Sequence, residues 1–274
     1  MKESIQTAFD SISSSAKSLL LTKALTSISF AKEAAELIWN GNITQFPREN
    51  EFTTKLILRL IHFETRYQSI DAALSELNIK NILEFSSGYS FRGLKLCKNP
   101  EILFIDTDLP QLMEKKELLV RELAKKYCSY STNNLILQAL NVLDETAFIE
   151  ITEQFPPGPI AIVNEGMLVY LNDKQKLKLC KIIHEILSSR KGYWITADVY
   201  IKKDEQSRIT TDIFDESGKE FLVKHNVEEN KFENFQVAEA FFKNNGFKIH
   251  KKIEVPHSLV SSRKYLGKIP RSQI

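Results

Sequence analysis

Apolar positions along residues 52–77 fall at Phe52, Leu56, Leu60, Phe63, Tyr67, Ile70, Leu74 and Leu77. Steps of four and three put them on one face, which predicts a long amphipathic helix with most of that face in the core. From Ile82 onward, short apolar runs alternate with helix-period segments. Strands are expected near 81–86, 102–106, 134–140, 159–164, 193–199 and 247–255, with helices near 110–127, 145–154, 173–189 and 233–245. This alternation predicts an α/β, doubly wound, mostly parallel sheet covered on both faces. Residues 4–39, rich in alanine and leucine and closed by Gly41, read as helical. Pro110 suits the first turn of its helix, Asp173 a helix start and Gly246 a helix end. The resulting organisation is a single domain: a helical cap over 1–78, a core over 79–200, an insertion over 201–232 and a C-terminal part over 233–274.

The first strand runs into small residues, in Asn81-Ile-Leu-Glu84-Phe-Ser86-Ser-Gly88-Tyr-Ser-Phe-Arg92, and twenty residues past Gly88 stands Asp108, in Asp106-Thr-Asp108-Leu109-Pro110. A tight turn after a strand makes room for a nucleotide-like ligand, and an acid at this spacing accepts hydrogen bonds from ribose hydroxyls. A dinucleotide fingerprint needs three glycines; this turn has one, and no Gly-Lys-Ser/Thr follows it. The turn therefore suits a ribose-bearing ligand without phosphates, such as S-adenosylmethionine. Turns of this kind also end strands that bind nothing, and both readings stay open on the spacing alone. Residues 200–231 are polar, with a turn expected at 215–218. Lying beyond a strand's carboxyl end, they read equally as a lid or a surface excursion.

The chain has 274 residues, 43% hydrophobic and 26% charged, with a net charge of +2. That balance gives no reason to expect nucleic acid or an anionic membrane as partner. The basic residues Arg263, Lys264, Lys268 and Arg271 read as a solvated tail. Cys97, Cys128 and Cys180 are far apart, form no metal-binding cluster, and read as reduced thiols of a cytoplasmic protein. No stretch reaches the length of a membrane span, and Leu19–Leu21 is too short for a signal-peptide core.

Three further pieces are Arg66 in Phe63-Glu-Thr-Arg66-Tyr-Gln-Ser-Ile-Asp71, Asn141-Val142 after the third strand, and Asn164-Glu165-Gly166-Met-Leu-Val-Tyr170-Leu171 after the fourth. With the opening motif and Asp106-Thr-Asp108-Leu-Pro110, this ordered set resembles the leucine carboxyl methyltransferase family, which includes tetracenomycin-type polyketide O-methyltransferases. The resemblance covers residues 60–200 best. It implies a Rossmann-like class I methyltransferase fold and S-adenosylmethionine as cofactor. It further implies cofactor contacts from Arg66 (to the carboxylate), Gly88 (the methionine moiety), Asp108, with Asp106 beside it (the ribose hydroxyls), Asn141 and Val142 (adenine), Glu165 (the amino group) and, without a named part of the cofactor, Glu84, Ser86, Arg92, Leu109 and Gly166, with Tyr170 facing the methyl or the acceptor. On residue type alone, Arg66 reads as a surface arginine, the two aspartates as helix caps and Tyr170 as a core tyrosine. Ser86, Ser90 and Asn141 stand where the family has a glycine and acids. They keep open a non-catalytic relative, while the single glycine disfavours a nicotinamide-dependent oxidoreductase. None of the five histidines lies in these motifs; only His225 and His257 fall in segments able to fold over the site. A carboxylate acceptor is ionised at neutral pH and needs no base, so the expected acceptor is a carboxylate, ahead of a hydroxyl, on a small molecule or peptide.

Overall fold

A computed structural model describes residues 14–41, 47–202 and 216–269. The sheet has five parallel strands, β1 (Asn81–Phe85), β2 (Leu103–Asp108), β3 (Leu135–Ala139), β4 (Ile160–Asn164) and β5 (Gly192–Thr196), in the order β3-β2-β1-β4-β5. The helices are α1 (Ser14–Ala24), α2 (Ala31–Ile38), α3 (Thr54–Leu77), α4 (Arg92–Leu96), α5 (Pro110–Tyr127), α6 (Glu145–Glu153), α7 (Asp173–Arg190), α8 (Glu216–Lys224) and α9 (Phe235–Asn244). No helix among the described residues is long and apolar enough to cross a membrane.

The two-residue period of the strands divides the core. Leu83, Phe85, Ile105, Ile160 and Ile162 point to one face, where Phe148 and Ile151 of α6 and Leu179, Ile183 and Ile186 of α7 cover them. Ile82, Phe104, Ala161 and Val163 point to the other, against Ile70 and Leu74 of α3. This is the doubly wound parallel arrangement that the alternation predicts, and it is Rossmann-like, as the resemblance implies. Strand order reverses between β1 and β4, whose ends are in register at Phe85 and Asn164. A crevice opens at such a reversal, beyond the carboxyl ends of the strands. Gly192 permits close pairing of β4 with β5: its φ is +132°, and a Cβ there would lie 2.0 Å from the Ile160 carbonyl oxygen.

Four expectations are corrected. Residues 247–255 form no strand. Ile249, Ile253 and Val255 alternate, but Lys248, Lys251 and Lys252 crowd the run, and a cavity of about 980 Å³ lies along the β5 edge between α3, α9 and this segment. The helix expected over 4–39 breaks into α1 and α2 within the described residues. Thr26 caps the break by donating to the Lys23 carbonyl (2.6 Å), and Phe30 adopts φ +62°. The turn expected at 215–218 is helical from Glu216 onward, and Asp215 lies outside the described residues, as do residues 203–214 of the possible lid. The basic tail is not wholly solvated: Ser261–Lys268 forms a 3-10 stretch whose Tyr265 is buried with Ile57 and Leu60 of α3. Arg271 lies outside the described residues.

Glu64 of α3 ties the two ends of the chain together. Its carboxylate accepts from Ser27 N (3.2 Å), Ser27 Oγ (2.8 Å), Ser261 Oγ (2.6 Å), Ser262 N (2.8 Å) and Ser262 Oγ (2.6 Å). The α1–α2 cap is thereby held over the carboxyl end of the sheet.

Candidate functional site

The turn after β1 is built for close approach. Ser86 and Gly88 both take left-handed conformations, φ +49° and +53°. Such a conformation is free for glycine and unfavourable for serine. A Cβ on Gly88 would meet nothing within 4 Å, so the space above the turn is open. Asp108 closes it from β2: Oδ2 accepts from Gly88 N (2.7 Å) and Oδ1 from Leu109 N (2.7 Å). A carboxylate has about four lone-pair positions, so each oxygen can still accept a ligand hydroxyl. Leu109, 57% exposed, presents an apolar surface next to it.

Asp106 faces inward instead. Ser87 Oγ donates to it, and the buried Lys116 of α5 donates to both Asp106 Oδ1 (2.7 Å) and Ser87 Oγ (2.8 Å). Glu84 and Arg92 are also interior, and they pair with each other. Arg92 further donates to Asp71 (2.6 Å) and to the Tyr67 carbonyl (3.3 Å), and its guanidinium lies 4.1 Å from the centre of the Tyr67 ring. Burial pushes the Glu84 carboxyl up, against the pull of Arg92. The expected ribose role of Asp106 and direct cofactor contacts of Glu84 and Arg92 do not match this geometry: Glu84 and Asp106 sit inside β1 and β2, Arg92 opens α4, and all three side chains are buried against interior partners.

The turn after β4 holds Glu165. Lys23, from the last turn of α1, pairs with its Oε1 at 3.2 Å, both side chains 7% exposed, and Arg92 stands 3.7 Å from Oε2. Burial raises the Glu165 carboxyl, but Lys23, Arg66 and Arg92 together hold it below its ordinary value. Glu165 Oε2, Arg66 Nε and Tyr67 Oη are buried without a hydrogen-bond partner. Buried polar atoms are normally satisfied, and these three lie together by Glu165, whose Oε2 keeps only the 3.7 Å approach of Arg92.

Arg66 donates to Asp198 Oδ1 at 3.0 Å and stands near Gly166, where an added Cβ would lie 3.2 Å from its Nη2. It is not a surface residue. Asn141 is exposed, and its Oδ1 accepts from Leu143 N (3.1 Å) in a local turn, leaving a second lone pair. The Val142 side chain is buried in the core with Phe148 and Ile151 of α6 and Leu179 of α7, facing away from solvent. Tyr170 is 40% exposed and meets His225 edge-to-face at 5.9 Å. His62, inside α3, contacts Tyr200 Oη through Nε2 (3.0 Å), one turn from Arg66. Burial, with Arg66 adding, pushes its pKa down to about 4.

Lys23 and Asp198 carry no motif signal. Their places depend on contacts spanning 142 and 32 residues, to Glu165 and Gly166.

No protein-family model matches the sequence, and no curated protein matches it. Solved structures do align. "PigF with SAH" matches at 14% identity and TM-score 0.45, over 73% of this chain and 55% of its own. A DUF574 family protein from Streptomyces avermitilis matches at 13% and 0.49, over 82% of both chains. The magnesium protoporphyrin IX methyltransferase ChlM from Synechocystis, with bound SAH, matches at 11% and 0.46, over 85% of this chain and 91% of its own. At these values the likeness decides neither activity nor ligand, and this chain spans about half the length of the first.

Proposed function

We propose that this chain is an S-adenosylmethionine-dependent O-methyltransferase related to the leucine carboxyl methyltransferase family, acting on a carboxylate of a small molecule or peptide. The observation that supports it most is the convergence, at the strand-order reversal, of the open Gly88 turn, Asp108 and Glu165 with the cations Lys23 and Arg66. A ligand ending in an amino acid needs both signs of charge at one end and a diol acceptor further along. The orphaned Glu165 Oε2 and Arg66 Nε fit the first need and the Asp108 oxygens the second.

The cofactor, when bound, supplies a methyl group on a sulfonium. The chain's own residues then bind and position. Glu165 accepts from the ligand's ammonium, and Lys23 and Arg66 face its carboxylate; a guanidinium suits that shape. Asp108 takes the ribose hydroxyls, Leu109 gives the base an apolar neighbour, and Asn141 offers its remaining lone pair to the base. Asp106, Glu84 and Arg92 support the floor. Tyr170 and His225 border the acceptor side.

A carboxylate is favoured because it needs no general base, whereas a phenol would have to rely on His62 or His225. With its pKa near 4, His62 is neutral at pH 7 but too weak a base for a phenol, whose pKa is about 10. A carboxylate attacks without losing a proton, and positioning with exclusion of water is the main task left. The Lys23–Glu165 pair supports a second reading, a non-catalytic relative whose site is satisfied from within.

Incubation with methyl-labelled S-adenosylmethionine and a panel of carboxylic acids and phenols tests the proposal. Label released from the product by mild alkali, as an ester releases it, is the expected result. An alkali-stable ether contradicts the carboxylate assignment, and ligand binding without transfer to any acceptor favours the second reading.

A further inference from the structure

We propose that Asp198 is the positioning residue of this site: it locks Arg66 and the turn after β4 in place, so that Glu165 keeps an oxygen free for the ligand. The proposal rests on the cofactor reading above.

Asp198 lies just past β5, and its carboxylate is closed off from solvent. Its own N–H donates to Thr196 Oγ1 (3.2 Å), which fixes the bend. Oδ1 accepts from Arg66 Nη2 (3.0 Å) and Gly166 N; Oδ2 accepts from Asn164 Nδ2 (2.6 Å), Met167 N (2.6 Å) and Leu168 N (3.1 Å). Five donors fill about four lone-pair positions. Asp198 therefore has nothing left to offer a ligand and acts only through what it holds.

It holds both sides of the site. Three successive backbone N–H groups and Asn164 set the turn that aims Glu165, and Asn164 is fixed in turn by Trp194 Nε1 (2.7 Å). On the other side the carboxylate engages Arg66, whose charge is already felt at Glu165. Glu165 Oε2 meanwhile lacks a hydrogen-bond partner. Without the Asp198 charge, Arg66 can turn to the Glu165 carboxylate, whose Oε2 accepts no hydrogen bond and has only Arg92 at 3.7 Å. A pair between them would occupy both groups that the ligand needs.

The test is the affinity for S-adenosylhomocysteine, by calorimetry, of the wild type, Asp198→Asn, Arg66→Gln and the double variant, with a melting curve for each. Asp198→Asn is expected to bind about 10- to 100-fold more weakly, the effect of a hydrogen bond to a charged group. The double variant should lose clearly less than the product of the two single losses, because part of the Asp198 effect acts through Arg66. The acid limb of binding should also move to lower pH in Asp198→Asn as Arg66 settles on Glu165, a change that loosened packing alone does not produce. A folded Asp198→Asn that binds within twofold of wild type, or losses that multiply in the double variant, overturns the proposal. If Asp198→Asn lacks a cooperative melting transition, Asp198→Glu serves instead: it should bind at least about fivefold more weakly, and unchanged affinity overturns the proposal. Wild-type protein that binds no S-adenosylhomocysteine defeats the cofactor reading separately. The positioning claim is then read from the Glu165 titration by carboxyl ¹³C NMR, which should fall to lower pH in Asp198→Asn; an unmoved titration overturns it.

Discussion

Replacing Glu64 should unfasten the cap. Glu64→Ala removes the acceptor of five donors on three serines. The three hydroxyls can turn to other acceptors, and Ser27 N keeps Ser261 Oγ at 3.0 Å. Ser262 N is left buried and unpaired, at a cost of about 1–3 kcal/mol, and the loss of strong bonds to a charged acceptor adds about as much again. The expected destabilisation is about 3–5 kcal/mol, and Glu64→Gln, which keeps one acceptor oxygen, should lose about half of that. Burial pushes the Glu64 carboxyl up, but the bonds from Ser261, Ser262 and Ser27 outweigh it, and the folded-state value lies below the ordinary one. For a carboxyl lowered in this way, stabilisation is full above the unfolded value of about 4.5 and fades as pH falls through the folded value. Urea unfolding of wild type and both variants at pH 7 and at pH 3 measures this. The gap between wild type and Glu64→Gln should narrow at pH 3. A Gln variant within about 0.5 kcal/mol of wild type at pH 7, or a gap that widens in acid, refutes the clasp.

Two further outcomes follow from single contacts. Lys23→Met removes one partner of a buried pair, but Arg66 and Arg92 remain beside Glu165. The stability loss should be about 2 kcal/mol, below the usual range for breaking such a pair, and S-adenosylhomocysteine affinity should fall about 10-fold or more; urea melts and calorimetry check both. Gly192→Ala places a methyl group against the Ile160 backbone at a positive φ, and the cost, read by thermal melting, should be about 3 kcal/mol or more.

The five strands were legible because each is a short apolar run bounded by turn residues, and the period of two tells which side chains face each helix layer. Gly88, Asp108 and Glu165 were legible for the same reason: they lie at or just past the carboxyl ends of strands. Asp106 and Glu84 show the limit of that logic. They belong to the same motifs, but lie inside the strands rather than at their ends, where the floor of the sheet buries them against Lys116 and Arg92. The partner of Arg66 was invisible, because Asp198 reaches it only once β5 lies beside β4. The break at Phe30 was hidden by a composition that favours helix on both sides. Residues 247–255 alternate as a strand does, but alternation alone cannot supply the neighbour that a strand needs.

The central claim is that the crevice at the β1–β4 reversal binds S-adenosylmethionine. Calorimetric titration of the wild-type protein with S-adenosylhomocysteine, paired with a melting curve at saturation, tests it most directly. The account predicts one binding site per chain and a raised melting temperature, as for any ligand that prefers the native state. Neither heat nor a thermal shift at millimolar ligand would contradict it.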